Sequence, residues 1–436
     1  MSFKSLSRSV AAAAVMVAVA GSSFAAEKIE FIFPTAVQGK LAMEMQNLIK
    51  KFNGEQSEVE VVGVYAGNYD KTKIKAQAAA EAGKPPAVVL MSANFIGELA
   101  MNDLIVPMSE LMEPEGIDSK EFIQDFWPAV RPNAIFNGEL YAVPYQNSTP
   151  ILYYNKDHFD AAGITEAPKT WAQWVDVAQK VTKPDGERWG IMMASNLGYI
   201  TWLAQGLVMS NGGHFFNATY PGEVYFDQPS TKGAMKFWSD LVHEHKVMPS
   251  GVTPAKQVST AFFAEKTSMM VLSTGSLSHV RDNAKFNFGV AFVPGNVANG
   301  VPIGGASLIS FKGTTPEQKK AAWTFISWLS TPENMGHWSR FTGYFSPLKT
   351  AYDLPEMEAF IKANPSALTA VQQLEYAGPW FATAVTVASR QAFGNQMQAL
   401  LSDPALSIDE AAANAQAKAE EILKPYNDKM ASQLIK

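Results

Sequence analysis

The 436-residue sequence contains no cysteine. Disulfides and thiolate metal ligands are therefore excluded, and an exported chain without disulfides depends on a large apolar core for its stability. The composition provides one, because 47% of the residues are hydrophobic and 11% are aromatic. The length exceeds what a single core usually serves, so the sequence predicts two lobes.

Clusters of Lys and Arg are also missing. Without Lys4 and Arg8, which precede the mature chain, 33 basic residues stand against 41 acidic ones, a formal charge near −8. Binding to nucleic acid depends on clustered basic side chains that neutralise phosphates. The composition therefore argues against nucleic acid as a partner.

Enzyme motifs are absent in the same way. The sequence has no HExxH, no P-loop, no GxSxG turn and no GxGxxG that opens a helix. His243 and His245 form the one close histidine pair, beside Lys246 near the end of an amphipathic helix, where a solvated helix end explains them better than a metal site. We therefore expect no catalysis, no metal and no cofactor.

No apolar run is long enough to cross a bilayer, but a shorter one stands at the N-terminus. Lys4 and Arg8 precede about a dozen apolar residues from Val10 to Gly21, and small residues follow. Such a run is too short to span the hydrocarbon core as a helix, and its flanks are typical of a secretory signal peptide. We expect cleavage near Ala25 and a mature protein in the periplasm.

The mature chain alternates strand-like and helix-like segments. Ile29 to Phe33 alternates in polarity like a strand, Leu41 to Phe52 has apolar residues at helical spacing, and Val59 to Val64 is typical of a second strand. A helix over Tyr69 to Ala82 and a short buried strand over Ala87 to Met91 follow. This repetition predicts α/β lobes.

Several threonines indicate where later helices begin. Thr170, with Gln173 three residues further on, is typical of a helix N-cap, as are Thr315 and Thr331, each of which precedes a proline at the first helical position. The segment from Ile408 to Tyr426 is rich in Ala, Glu and Lys. It predicts a surface helix at the C-terminus.

Five predicted loops are rich in small hydroxyl, glycine and aromatic residues. Helix N-termini and glycine-rich turns present free backbone N–H groups, and Ser or Tyr hydroxyls add donors, which suits a phosphate or a sugar. Each loop alone is more typical of an ordinary turn or N-cap. Together they form a candidate site at residues 67–69, 146–149, 273–276, 304–307 and 342–344.

Six short motifs, spread over nearly the whole mature chain, carry a family resemblance. They lie at residues 65–69, 147–157, 168–171, 286–290, 303–308 and 342–344. The Tyr-Tyr-Asn-Lys-Asp run at 153–157 and the Gly-Gly-Ala-Ser run at 304–307 are the most specific. With these motifs the chain resembles the family 1 extracellular solute-binding proteins of ABC importers, the maltose-binding type.

The resemblance implies an α/β fold of two lobes that face each other across a cleft, the type II, maltose-binding-protein-like form of the periplasmic-binding-protein fold. The hinge would have about three crossings, near Tyr141 to Gln146, Phe286 to Val293 and Trp338 to Lys349. The first lobe would comprise residues 26–143 and 294–337, and the second lobe residues 144–293 and 338–436.

Members of this family that bind glycerol phosphate provide ligand contacts that carry over to five positions of this chain. These positions are Tyr69, Ser148, Ser273, Gly305 and Tyr344. All five lie within the candidate loops. The resemblance therefore implies a ligand site at these residues.

Two contacts of those relatives do not carry over. Their acidic residue falls at Ala93, with Asn94 beside it, and their phosphate-binding arginine falls in Thr383 to Thr386, where Arg390 is the nearest arginine. Their tryptophans also lack matching positions, although Trp202 is close. Asn94, Trp202 and Arg390 complete the set of candidate ligand residues.

The resemblance implies a non-enzymatic monomer that closes on a small solute and delivers it to the permease subunits of an ABC importer. The five retained positions favour glycerol-3-phosphate or a glycerophosphodiester as the ligand. The changed positions, with Trp202 and Trp380 as stacking surfaces, favour a sugar, oligosaccharide or other polyol as the alternative. A secreted carbohydrate-active enzyme is a third hypothesis, which requires a pair of carboxylates facing the cleft.

Overall fold

The computed structural model describes residues 26–434. The predicted signal peptide, residues 1–25, and its cleavage near Ala25 lie outside the described residues. Between residues 26 and 434, no helix is both long and apolar enough to cross a membrane.

Two larger sheets and two small ribbons hold the strands of the described chain. The strands are β1 Glu27–Phe33, β2 Val59–Tyr65, β3 Val88–Ser92, β4 Ile135–Phe136, β5 Glu139–Leu140, β6 Val143–Ser148, β7 Pro150–Asn155, β8 Trp189–Met193, β9 Thr267–Ser273, β10 Phe288–Ala291, β11 Val301–Pro302, β12 Gly304–Ile309 and β13 Ala377–Gly378. The α-helices are α1 Leu41–Glu55, α2 Tyr69–Glu81, α3 Ile96–Met101, α4 Ser109–Met112, α5 Ser119–Phe122, α6 Lys156–Ala161, α7 Trp171–Val181, α8 Leu197–Ser210, α9 Pro229–His243, α10 Ala255–Phe263, α11 Leu277–Asn283, α12 Pro316–Leu329, α13 Pro332–Thr342, α14 Pro355–Ala363, α15 Thr369–Gln372, α16 Thr386–Ser402 and α17 Ile408–Leu434.

The first sheet has five strands in the order β2-β1-β3-β12-β6. Strands β1, β2 and β3 run parallel, as the predicted strand and helix units require. Strand β12 arrives from far along the chain and pairs antiparallel with both β3 and β6. All five residues of β3 are buried, as expected for a strand covered on both faces.

The second sheet has four strands in the order β10-β7-β9-β8. Strand β7 is antiparallel to both neighbours, and β8 runs parallel to β9. Strand β7 follows β6 after the single residue Thr149, so the chain passes from one sheet to the other at this point. The first crossing therefore lies at Thr149, a few residues after the predicted position near Tyr141 to Gln146.

The polar segment that precedes Thr149 is a strand, whereas the sequence predicted a loop. Gln146, Asn147 and Ser148 complete β6, and they pair with Ala306, Gly305 and Gly304 of β12. Because β12 satisfies their backbone groups, these polar residues can be buried in a sheet. The prediction missed this pairing because the partner strand lies more than 150 residues away.

Each larger sheet lies in its own apolar core. The first core includes Phe31, Leu90 and Leu308 from the first sheet, and the second includes Leu152 of β7 with Trp174 and Trp238 from helices α7 and α9. A smaller cluster around Ile151 and Met270 covers the other face of the second sheet. We use "first lobe" for the elements of the first core and "second lobe" for the rest.

Core packing corrects the predicted lobe boundaries. Tyr145 was assigned to the second lobe, but it packs in the first core because β6 belongs to the first sheet. Val301 was assigned to the first lobe, but it packs in the second core.

The third boundary also moves. Residues 338–436 were assigned to the second lobe, but Trp338, Phe345, Leu348 and Ala370 pack in the first core. Trp380 is the next buried side chain to join the second core. The third crossing therefore lies between Ala370 and Trp380 rather than near Trp338 to Lys349, because the apolar face of α13 packs on the first sheet's core.

The predicted helix starts agree with the structure. Thr170, Thr315 and Thr331 each accept a hydrogen bond from the backbone N–H three residues further on. At Thr315 the side chain of Gln318 also accepts from the Thr315 N–H, which completes a capping box. These local signals could be read without any tertiary information.

Gly305 is the position where this fold depends most directly on glycine. Its φ is +112°, and an added Cβ would lie 1.8 Å from the carbonyl oxygen of Gln146. We expect Gly305→Ala to lower the free energy of unfolding by about 3 kcal/mol or more, from left-handed strain plus overlap. Urea denaturation monitored by circular dichroism measures this change.

Gly313→Ala is the matched control. Gly313 also has a positive φ, +96°, but an added Cβ would meet no atom closer than 3.4 Å. It should lose only about 1 to 2 kcal/mol, the cost of the left-handed conformation. Equal losses in the two variants would contradict the close approach of β12 to β6.

Candidate functional site

Seven of the eight predicted ligand residues line one cavity of about 140 Å³ between the two lobes. Asn94 is the exception, because it is fully buried in the turn that follows β3 and accepts a hydrogen bond from the Ser92 hydroxyl. The lining residues are Ala36, Val37, Asn68, Tyr69, Asp70, Ser148, Asn196, Gly198, Tyr199, Trp202, Ser273, Gly305, Tyr344, Trp380 and Arg390.

Sheet geometry places the two serines and the glycine. Ser148 ends β6 and pairs with Gly304, so it lies beside Gly305. Ser273 ends β9, where its register partner is Pro150 at the start of β7. The sheet-to-sheet crossing at residue 149 thus brings the ends of strands from both lobes to the same cavity.

Two tyrosines supply hydroxyl groups to this cavity. Tyr69 is the first residue of α2, and its hydroxyl accepts a hydrogen bond from Gln146 Nε2 at 3.2 Å. Burial raises the pKa of Tyr69 to about 12, although hydrogen bonds from Gln146 and Tyr344 partly offset this rise. Burial also raises the pKa of Tyr344, and the nearby hydroxyls of Tyr69 and Tyr199 act in the same direction. Both hydroxyls therefore remain neutral at physiological pH.

The position of the Tyr344 ring depends on two glycines. Gly343 ends α13 with a φ of +100°, which turns the chain toward the cavity. A Cβ at Gly275 would lie 2.6 Å from Cζ of Tyr344, so the ring packs directly on the backbone that follows β9. This contact joins a first-core tyrosine to the second lobe.

Aromatic rings form one wall of the cavity. The ring centroids of Tyr199 and Trp202 are 5.9 Å apart, and those of Trp202 and Trp380 are 6.0 Å apart. Trp380 also meets Tyr69 edge-on at 6.2 Å. Trp202 Nε1 donates to the carbonyl of Ile303 at 3.3 Å, which fixes its ring plane. These rings provide flat apolar surface next to the hydroxyls.

The only charged groups in this lining are Asp70 and Arg390. One terminal nitrogen of Arg390 donates to both carboxylate oxygens of Asp70, at 2.8 and 2.7 Å. Arg390 is 5% exposed, and its Nε has no hydrogen-bond partner among residues 26–434. Part of this buried guanidinium therefore has no hydrogen-bond partner in the described chain.

Contacts across the cavity join the lobes. Asp70 belongs to the first lobe and Arg390 to α16, which packs in the second core. Glu98 of α3 accepts from the backbone N–H of Thr386, where α16 begins. Asn133 exchanges two hydrogen bonds with the backbone of Trp380. The described arrangement is therefore closed over the cavity.

Sequence reasoning missed Asp70. It directly follows Tyr69, but its partner Arg390 is 320 residues away, and no local pattern connects them. Tyr199 was not among the predicted ligand residues, and Trp380 was expected only as a stacking surface for the alternative sugar ligand. Ala93, where an acidic residue was expected, borders a neighbouring groove that shares Trp380 with the cavity.

That neighbouring groove is larger, about 1010 Å³, but its lining argues against it as the primary site. It is lined by residues of both lobes and of the C-terminal helix α17. The smaller cavity instead combines convergent hydroxyls, a buried guanidinium and aromatic walls, which is the composition typical of small-ligand sites.

Metal binding finds no support in the described chain. Between residues 26 and 434, no three His, Asp or Glu side chains lie together in an arrangement that could hold a metal ion. At the predicted histidine pair, His243 bonds to the carbonyl of Leu400 at 2.8 Å, so it joins α9 to α16.

Comparison with known proteins places the chain in a family. Residues 47–399 match the family described as bacterial extracellular solute-binding protein. This chain belongs to that family. It is the solute-binding component of an ABC importer, as the resemblance implied.

Individual members of the family are similar over most of their length. The sn-glycerol-3-phosphate-binding periplasmic protein UgpB of Escherichia coli is 30% identical over 388 residues, which is 85% of this chain and 86% of that protein. The crystal structure of UgpB from Mycobacterium tuberculosis in complex with glycerophosphocholine has a TM-score of 0.81 at 25% identity, covering 91% of this chain and 98% of that one.

A sugar-bound protein shares the fold. A maltose-bound protein of T. maritima has a TM-score of 0.79 at 21% identity, covering 91% of this chain and all of the other. The predicted two-lobed, maltose-binding-protein-like α/β fold is therefore confirmed. Relatives of this family are binding proteins of transporters, which agrees with the absence of enzyme motifs.

The raised pKa of Tyr69 predicts a pH-dependent stability. Unfolded tyrosine loses its proton near pH 10, whereas folded Tyr69 keeps its proton to about pH 12. The folded state binds more protons in this window, so the free energy of unfolding falls as the pH rises through it. Urea denaturation of wild type and Tyr69→Phe between pH 9 and 11.5 should give the shallower fall in the variant. Equal slopes would show that Tyr69 ionises alike in both states.

Proposed function

We propose that the protein is a periplasmic, monomeric binding protein that captures glycerol-3-phosphate or a glycerophosphodiester between its two lobes and delivers it to a membrane permease. The observation that carries this proposal is the buried Arg390, which lines a cavity together with serine and tyrosine hydroxyls and whose Nε has no partner among residues 26–434. Arginine forms strong, directional hydrogen bonds with phosphate oxygens.

Each lining group has a role in this proposal. Arg390 binds the phosphate, with the hydroxyls of Ser148 and Ser273 as further donors. Tyr69 and Tyr344 are neutral at physiological pH, so each hydroxyl can donate to a phosphate or accept from a glycerol hydroxyl. The neutral state matters because an ionised phenolate would repel the anion.

Smaller groups complete the proposed site. Gly305 lets β12 approach without a side chain in the cavity, and Trp202 covers the carbon chain of glycerol. Asn94 lies outside the cavity, so we do not include it. The relatives support this assignment by name, since UgpB of Escherichia coli is called sn-glycerol-3-phosphate-binding and the mycobacterial UgpB was solved with glycerophosphocholine.

The proposed mechanism is closure of the two lobes on the ligand. Ser148, Tyr69 and Gly305 come from first-lobe elements, while Arg390 and Trp202 come from second-lobe elements. Only the closed arrangement brings both sets to one ligand, so binding stabilises that arrangement. The closed form would then dock on the permease, while a separate subunit hydrolyses ATP.

A small sugar is the second candidate ligand. The aromatic wall of Tyr199, Trp202 and Trp380 suits the apolar face of a sugar ring, and the Asp70 carboxylate suits its hydroxyls. A structural neighbour was solved with maltose bound. The volume of about 140 Å³ favours a monosaccharide over an oligosaccharide.

A thermal-shift screen with phosphodiesters, phosphomonoesters and neutral sugars separates these candidates. A ligand that binds only the folded state raises the melting temperature with concentration. We expect a glycerol phosphate compound to give the largest shift. A shift with a neutral sugar and none with glycerol phosphates would favour the second candidate.

Arg390→Lys tests whether Arg390 binds the phosphate. Lysine keeps the positive charge but loses the planar fork, so affinity for the best phosphate ligand should fall more than about 10-fold by isothermal titration. Arg281→Lys is the matched control, a half-buried arginine over the ring of Phe360 and outside the cavity. Unchanged affinity in Arg390→Lys would remove Arg390 from the site.

A further inference from the structure

The charge balance of the cavity is zero. Among the lining residues of the described chain, Asp70 is the one acidic group and Arg390 the one basic group, and no histidine is present. The remaining lining is aromatic, aliphatic or neutral and polar. A charged ligand therefore meets one cation, Arg390, and one anion, Asp70, in this lining.

The two members of the ion pair differ in exposure and in hydrogen bonding, and both differences affect a bound ligand. The carboxylate of Asp70 is 40% exposed at its side chain, while the side chain of Arg390 is 6% exposed. Asp70 bonds only to the terminal nitrogen Nη2 of the guanidinium, and Nε, which shares an edge of the group with Nη2, has no partner among residues 26–434. A phosphate oxygen that accepts a hydrogen bond from Nε would therefore lie beside the carboxylate of Asp70.

This arrangement of charges favours a singly charged phosphate over a doubly charged one. A phosphodiester carries one negative charge, which one guanidinium can pair. A phosphomonoester carries close to two at pH 8, because its second pKa is near 6. The second charge finds no further cation among the lining residues, and it lies near the carboxylate of Asp70. Burying an unpaired charge costs much more than burying a paired one.

We propose that Asp70 determines the charge selectivity of this site, so that it binds singly charged glycerophosphodiesters in preference to the doubly charged glycerol-3-phosphate. This inference rests on the proposed function and narrows it to one ligand class. Asp70 acts through its negative charge and through its hydrogen bonds with Arg390. It is a specificity-determining residue rather than a required ligand contact.

The sharpest test uses two probes that differ by one methyl group and one charge. These are sn-glycerol-3-phosphate and its methyl diester, titrated calorimetrically at pH 8 into the full mature protein. Wild type should bind the diester at least about 10-fold more tightly. In Asp70→Asn, which keeps the size of the side chain, the ratio should shift at least about 10-fold toward the monoester.

Glu333→Gln is the control for net charge. Glu333 also lies in the first turn of a helix, α13, but it does not line the cavity. This variant removes the same charge from the protein and should leave the ratio of affinities as in wild type. A ratio that moves equally in both variants would show a general charge effect and overturn the role of Asp70.

A pH series on the wild-type protein tests the same inference without any substitution that could impair folding. From pH 8 to pH 5.5 the monoester gains a proton and becomes singly charged. Its affinity should rise toward that of the diester, whose charge does not change in this range. Since no histidine lines the cavity, the ligand is the group whose protonation is followed.

The outcomes separate this inference from the proposed function. If wild type binds the monoester as tightly as the diester at pH 8, or if Asp70→Asn leaves the ratio unchanged, Asp70 does not set charge selectivity, although a glycerol phosphate ligand stands. If neither phosphate binds at millimolar concentration, the proposed function and the inference both fail. A preference for the diester that is lost in Asp70→Asn supports both.

Discussion

The closed arrangement of the two lobes depends on the buried charge of Arg390. A guanidinium that is 5% exposed is stable only when its charge is paired. Asp70 supplies that pairing from the other lobe, through two hydrogen bonds to one nitrogen. Helices α2 and α16 are held together at the cavity as a result. The backbone N–H of Thr386, bonded to Glu98, reinforces the same junction at the start of α16.

The hydrogen bonds across the cavity are polar contacts, and they lie beside the ring contacts of Tyr69 with Trp380 and of Tyr344 with Gly275. Separate apolar cores support each sheet, so parting the lobes leaves both cores intact. The groups that lose partners, Asp70, Arg390 and Asn133, can bond to water when the cleft opens. Polar interfaces of this kind permit domain motion, whereas a shared apolar core would resist it. The same residues can thus form a closed site and release its contents.

Local signals in the sequence predicted much of the fold. Alternation identified β1 and helical spacing identified α1, while Thr315 and Thr331 gave helix starts to the residue. Pairings over long distances could not be read in this way. The strand character of Gln146 and Asn147 depends on β12, and the first-core position of Phe345 depends on how α13 packs.

The residues of the candidate site were likewise predicted only in part. Tyr69, Ser148, Ser273, Gly305 and Tyr344 were predicted because motifs at strand ends and helix starts carry a family pattern, and all five line the cavity. Asp70 has no such motif. Its importance arises only from its distance to Arg390, which is a tertiary fact. Such a residue is identified only from the ion pairs of the folded structure. In the proposal above, it is the residue that determines which ligand charge the site prefers. Because Asp70 bonds to the guanidinium nitrogen next to the unpartnered Nε, the ion pair that joins the lobes also places a negative charge beside any anion that binds there.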